Sequence, residues 1–218
     1  MNTPSSNKAT SPTRERILDA AERLFAQAGY DGVSLRMITR EAGVELALAN
    51  YHCGPKLELF RAVVRRRAVT LNAERLAALS ALPADAPLEA LIGAFTGPFL
   101  ERSLHGGAGW KDYARVIAQT ANSPRWTAEL MAAEFDTVAT AFIERVQALH
   151  PHAAADDVYW SFHFLLGAMT ITFAETGRVD TLSGGRCRSA DLATIHARMI
   201  PFLAAGFRAL CHNHGEHA

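Results

Sequence analysis

SLRMITREAGVELALANYHCGPK, residues 34–56, holds two short helices separated by one glycine. Ser34 is placed to cap the first, which runs over Leu35 to Ala42 with Ile38 and Ala42 on its buried face. Gly43 takes a backbone conformation that a side chain resists. The second helix covers about Glu45 to His52, and Gly54-Pro55 breaks the chain again. Ile38, Ala42, Val44 and Ala49 are small or branched, so the two helices can cross closely. Two short helices about a glycine turn make a helix-turn-helix, whose second helix enters the major groove of duplex DNA. The start of the first, at Ser34 and Leu35, can offer backbone N–H groups to a phosphate.

The same punctuation extends in both directions. Upstream, Ser11-Pro12 opens a helix whose apolar face is Ile17, Leu18, Ala21, Leu24, Phe25 and Ala28, and Gly29 stops it. Downstream, Pro55 starts a long helix to about Leu82. Further helices are predicted over Leu88–Leu104, Trp110–Thr120, Pro124–His150, Asp156–Thr176 and Ser189–Leu210. Residues 178–188, with Gly184-Gly185, read as a mobile loop. No window alternates apolar and polar residues as a half-buried strand does. The fold class is therefore all-α with about nine helices. The domain reading is a disordered tail over 1–10, a helix-turn-helix domain over 11–55, a helical ligand-binding and dimerisation domain over 56–211, and a disordered tail over 212–218.

Composition narrows the function classes. The 218 residues are 49% hydrophobic, enough for a sizeable core and against a disordered or collagen-like chain. The 22 Lys and Arg equal the 22 Asp and Glu, which at first speaks against a nucleic-acid binder. The charge is not evenly spread: residues 1–75 hold twelve basic and eight acidic side chains, and residues 76–218 hold ten and fourteen. Arg61, Arg65, Arg66 and Arg67 add positive charge along the fourth helix. Cys53, Cys187 and Cys211 are too widely spaced for a zinc site or a disulfide framework, which suits a reducing cytoplasm. The first eleven residues lack the apolar stretch of a signal peptide, and no apolar run reaches a membrane span. There is no GxSxG, P-loop, GxGxxG or HExxH, so no catalytic residue, cofactor or metal site is expected. His212, His214 and His217 read as an unstructured tail rather than metal ligands.

The first helix ending AGYDG, then ITREAGV, then ANYHCGPKLELF resembles the TetR family of transcriptional regulators, the last segment matching its NYHFGSKEELF pattern. The resemblance covers Pro12 to about Val64. It implies a three-helix DNA-binding head joined by a fourth helix to an all-α ligand and dimerisation domain. Carried over by position, Arg36 reaches a guanine edge, where a guanidinium grips O6 and N7. Glu45, Leu46, Ala47, Leu48 and Asn50 lie on the recognition helix, the two leucines suited to thymine methyls. Asn50, Tyr51, His52 and Lys56 become phosphate contacts, together with Ser34 at the first helix's start. For Tyr51 and His52, packing inside the head is the alternative. Cys53 stands where the family commonly has Phe and is expected as a buried, inert thiol. Pro55 replaces a capping Ser or Asn, so the helix start should survive with one bond fewer.

HFLLGAM, residues 163–169, and MIPFLAAGFRAL, residues 199–210, resemble helices of the fatty-acid-responsive branch of that family. The resemblance implies a homodimer through the last two helices. Gly167, Ala168, Ala204, Ala205 and Gly206 would allow close approach, and Phe164, Leu165, Phe202, Leu203 and Phe207 would supply apolar area. An internal core is the alternative. It also implies an effector pocket lined by Phe95, Phe99, Trp110, Tyr113, Ile117, Phe135, Val138, Phe142, Phe164 and Met169, each of which could equally be core. Arg115 or His163 could pair with a carboxylate head, although His163 also reads as a satisfied core histidine. The implied function is a repressor, released from a palindromic double-stranded DNA operator by a small apolar or acyl effector such as a fatty acid. The alternative is a TetR-like architectural or protein-partner-binding DNA-binding protein with no small effector.

Overall fold

Proline and glycine set the helix boundaries. The computed structural model describes residues 11–211, which contain helices and no strand. α1 (Pro12–Ala28) opens on a proline, whose missing N–H a first turn leaves unpaired anyway. It closes where the Gly29 N–H donates to the Phe25 carbonyl at 2.9 Å. α2 (Leu35–Ala42) is capped by Ser34, whose Oγ accepts the Met37 N–H at 3.2 Å. It ends at Gly43, left-handed at φ 63° and ψ 43°. α3 (Leu46–Cys53) follows directly. α4 (Lys56–Ala81) begins behind Pro55, and the Leu59 N–H donates to the Pro55 carbonyl at 3.0 Å.

The remaining predicted helices are α5 (Leu88–His105), α6 (Ala108–Ala121), α8 (Ala132–Leu149), α9 (Ala155–Phe173) and α11 (Leu192–Cys211). Two details differ from the sequence expectation. The helix expected from Pro124 starts as a single turn, α7 (Pro124–Trp126), and passes through a π-helical stretch, Thr127–Met131, before α8. The segment 178–188 is not a bare loop. It contains α10 (Arg178–Leu182), and side chains tie it down. Asp180 accepts the Ser189 N–H at 2.8 Å and Ser183 accepts the Cys187 N–H at 2.9 Å. The tails expected at 1–10 and 212–218, with His212, His214 and His217, lie outside the described residues.

The chain divides into two compact units at Arg66/Arg67, inside α4 rather than at its start. The cause is visible in the first unit, where Leu59, Phe60, Val63 and Val64 of α4 are buried alongside Ile17, Leu18, Ala21 and Phe25 of α1. Phe60 meets Phe25 edge-on at 4.9 Å. Arg66 reaches three carboxylates of α1, with Glu15 at 3.1 Å, Asp19 at 2.7 Å and Glu22 at 3.2 Å. Steps of four and three residues put those acids on one face.

In the second unit one apolar cluster joins α4 to α11: Leu71 and Leu79, Leu91, Ile92, Phe95 and Phe99, then Tyr113, Phe142, Leu165 and Phe207. α11 packs on α5 and α9, and α9 also on α6 and α8. Ser161, Phe162, Leu165, Met169 and Phe173 turn inward on α9. Tyr159, Trp160, Phe164, Leu166 and Ile171 remain exposed, as does Phe202 of α11.

Candidate nucleic-acid interface and effector core

The 3.6-residue period of α3 decides what it offers. Ala49 is fully buried against the head, which turns Leu46, Ala47, Leu48, Asn50 and Tyr51 outward. Tyr51 is 80% exposed, so it does not pack the head, while His52 beside it is half-buried with the rings edge-on at 5.1 Å. Glu45 is exposed at the helix start. Asn50 donates from Nδ2 to the Leu46 carbonyl at 3.2 Å and must release its own helix to reach a phosphate. Arg36 is exposed on α2 and holds no ion pair among the described residues. Ser34 is exposed, but its hydroxyl already caps α2. Lys56 is half-buried, its ammonium 4.1 Å from the centroid of the Tyr30 ring.

Not every arginine of the head is free to meet DNA. Arg66 is engaged by α1, Arg61 pairs with Glu58 at 2.7 Å, and Arg23 pairs with Glu41. Burial works against the Arg66 charge, yet Glu22 and Asp19 outweigh it and hold the group above its ordinary pKa. Cys53 is half-buried rather than buried, because α3 presents it at the rim of the head. Partial burial pushes its thiol up, against the nearby Arg14, which keeps it a thiol.

Of the ten residues expected to line an effector pocket, Phe95, Phe99, Trp110, Tyr113, Val138, Phe142 and Met169 come together in the second unit's cluster, and Ile117 packs against it. Phe135 is half-buried and outside that cluster. Phe164 does not line the core: 56% exposed, it stands on the outer face of α9, one residue away from buried Leu165. His163 shares that outer face, between Trp160 and Phe164, so it is not a core histidine. The residues expected at a dimer interface divide in the same way. Phe164, Gly167, Phe202, Ala205 and Gly206 are exposed, whereas Leu165, Leu203, Ala204 and Phe207 are core. Tyr159, Trp160 and Ile171 complete the exposed face, and their helical spacing with Phe164 was the signal for it.

An open groove of about 420 Å³ lies between α6 and α9, bordered by Arg115, Gln119, Asn122, Gly167, Thr170 and Ile171 among others. None of the ten expected lining residues borders it. Arg115 there reaches Asp112 at 3.4 Å.

The feature that sequence reading passed over is Arg75. It is 4% exposed, in the middle of the apolar cluster. Its Nε donates to the Phe95 carbonyl at 2.8 Å, and its guanidinium lies 4.5 Å from the Phe95 ring centroid and 5.7 Å from that of Phe99. Among the described residues no carboxylate pairs with it. Burial pushes its pKa down to about 10, with Tyr113 acting the other way. The signal was the α4 period: Leu71, Arg75 and Leu79 fall on one buried stripe.

Two family models match the chain. Residues 17–63 fit the one described as "Bacterial regulatory proteins, tetR family", and residues 93–206 fit "Tetracyclin repressor-like, C-terminal domain". The chain belongs to the TetR family. It is a helix-turn-helix transcription regulator, of a family that binds DNA and forms dimers rather than one of enzymes. Over 55 residues it is 40% identical to the HTH-type transcriptional regulator SrpR of Pseudomonas putida. That match takes in 25% of this chain and 26% of SrpR, about a quarter of the relative's length. At the level of fold, this TetR-family chain aligns with a tetR family transcription regulator from Shewanella sp. PV-4 at a TM-score of 0.66 and 14% identity, covering 89% of this chain and 97% of that one. FadR of Bacillus subtilis, solved with stearoyl-CoA, aligns at 0.58 and 15% identity, covering 88% and 98%. No helix among the described residues is long and apolar enough to cross a membrane.

Proposed function

We propose that this TetR-family chain is a ligand-responsive repressor acting in the cytoplasm. Two copies associate through the exposed faces of α9 and α11 and place two α3 helices on a palindromic operator. A small apolar or acyl compound bound in the core of the second unit favours a form that no longer fits DNA. The observation that carries the reading is the pairing of outward-facing α3 with an exposed apolar stripe on α9 and α11. A helix-turn-helix reads a two-fold operator as a dimer, and such a stripe on one chain calls for a covering partner. Arg36 and the recognition-helix residues Glu45, Leu46, Ala47 and Leu48 face the bases; Ser34, Asn50, Tyr51, His52 and Lys56 set the register on phosphates. The acyl class is supported by the aromatic and aliphatic core and by the stearoyl-CoA bound to FadR, a protein of similar fold. Such an effector needs only differential affinity for the two forms.

The test selects bound duplexes from random sequence and then screens apolar and acyl compounds for release. A palindromic consensus, with loss of tight binding in the double variant Phe164→Glu, Phe202→Glu, supports the reading. A monomer at micromolar concentration that binds DNA without a consensus would sink it. The exposed face of α9 and α11 favours a second reading too, an architectural or protein-partner-binding role with no effector. Failure of every compound to release operator would select it.

A further inference from the structure

The core of the second unit holds a permanent cation that meets no carboxylate among the described residues. A guanidinium cannot shed its proton to escape an apolar setting. Buried charges are therefore normally paired or bound to a ligand. Arg75 has one hydrogen bond from Nε, to the Phe95 carbonyl, and the faces of two phenylalanine rings. Its paired Nη edge, the edge that grips a carboxylate bidentately, meets no acid among the described residues. Two further buried polar atoms accompany it. Asn72 Oδ1, one turn earlier on α4, and Ser103 Oγ, one turn beyond Phe99 on α5, have no hydrogen-bond partner. Orphaned polar atoms are rare in a packed core and call for a specific explanation. Arg75 itself sits against Phe95 and Phe99, two of the rings expected to hold an apolar body.

We propose that Arg75 is the anion-recognising group of the effector site, so the effector is an apolar aromatic or medium-chain compound that carries a carboxylate. This rests on the effector reading above and narrows it to one chemical class. The carboxylate accepts from the Nη edge of Arg75 and from the Ser103 hydroxyl, while its apolar body replaces contacts among the surrounding rings. Asn72 Oδ1 takes a hydroxyl or N–H on a substituted acid.

The test uses matched probes, decanoate against decanol and decylamine, and phenylacetate against phenylethanol. The readouts are the Tm shift of the full-length protein and release of selected operator. The acids are expected to raise Tm and release DNA, with the alcohols and the amine at least tenfold weaker. Arg75→Met should lose at least tenfold in acid response, and Arg75→Lys should keep part of it. The Tm of unliganded Arg75→Met separates recognition from a structural role. It should stand at or above wild type, whereas a scaffold role on the Phe95 carbonyl predicts a fall. Should Arg75→Met fail to fold, that is the structural outcome and overturns the proposal. Equal response to acids and alcohols, or an acid response unchanged in Arg75→Lys and Arg75→Met, would also overturn it while leaving an effector in place. Failure of compounds of every charge to release operator would instead remove the effector reading itself.

Discussion

α4 carries one half-buried and one fully buried arginine nine residues apart, one in each unit, and their surroundings are opposite. Arg66 reaches Glu15, Asp19 and Glu22, and its charge is held more firmly than in water. Arg75 has a carbonyl and two ring faces, and burial lowers its pKa. The first arrangement closes on itself: the cation and three carboxylates of α1 are one another's partners. The second is open, because among the described residues no carboxylate pairs with that cation. A half-buried ion-pair network ties α4 to α1 in the head; a buried ion without a pair fits recognition of something that arrives.

The largest expected effect comes from breaking the closed arrangement. Arg66→Met removes the ion pair that Glu22, only 1% exposed, makes at 3.2 Å. Loss of one member of a buried pair costs about 3–5 kcal/mol. Calorimetry should show the head melting first, and Glu22→Gln in the same chain should recover part of the loss. If Arg66→Met melts as wild type does, the contrast with Arg75 fails at its stronger end.

Next comes an arginine that is neither buried nor paired. Arg36→Ala should cost about 1–3 kcal/mol of discrimination at one operator position, read by competition between single-base variants. Lys56→Ala should weaken all sequences alike and reduce the slope of log K against log salt by about one. Equal losses on all sequences for Arg36→Ala would place it on phosphate.

Arg75→Met sharpens the comparison from the other side. Trading an unpaired buried cation for an apolar side chain of similar length should fall between no change and a gain of about 1 kcal/mol in the absence of ligand. Urea unfolding followed by a signal from the second unit reads it.

The smallest effect belongs to His196, a third partly buried basic group, 2.7 Å from Thr96 Oγ1. Burial lowers its pKa from the ordinary 6.5, with Glu101 opposing. The unfolded chain therefore binds the proton more readily than the folded one. Stability is full above about pH 6.5 and declines as pH falls through the lowered folded value. His196→Gln should flatten the Tm-against-pH curve between pH 7.5 and 5. An unchanged slope assigns that dependence to other groups.

Local chemistry made most of the architecture legible before any coordinates. Ser34, Gly43 and Gly54 each act within a few residues, so the head's helices could be bounded by their caps. The same holds for Pro12 and Pro55. The division of the chain was less legible. Pro55 looks like a boundary, but Phe60, Val63 and Val64 beyond it are buried in the first unit, and Phe60 meets Phe25 of α1 across thirty-five residues of sequence. Among site residues, α3 was readable because Ala49 fixes its inward face. The apolar core of the second unit was readable only as composition: Phe142 and Phe164 are the same residue type, yet one is buried and the other exposed.

The sequence by itself determined the helical class, the helix-turn-helix, and the family through its ANYHCGPKLELF segment, because caps, turns and 3.6-residue periods are short-range. Only the tertiary structure decided which side of α9 meets the core, how Arg66 and the acids of α1 share their charge, and that Arg75 meets no acid among the described residues. Those outcomes depend on partners far along the chain, and a buried charge takes its meaning from whatever the fold brings beside it.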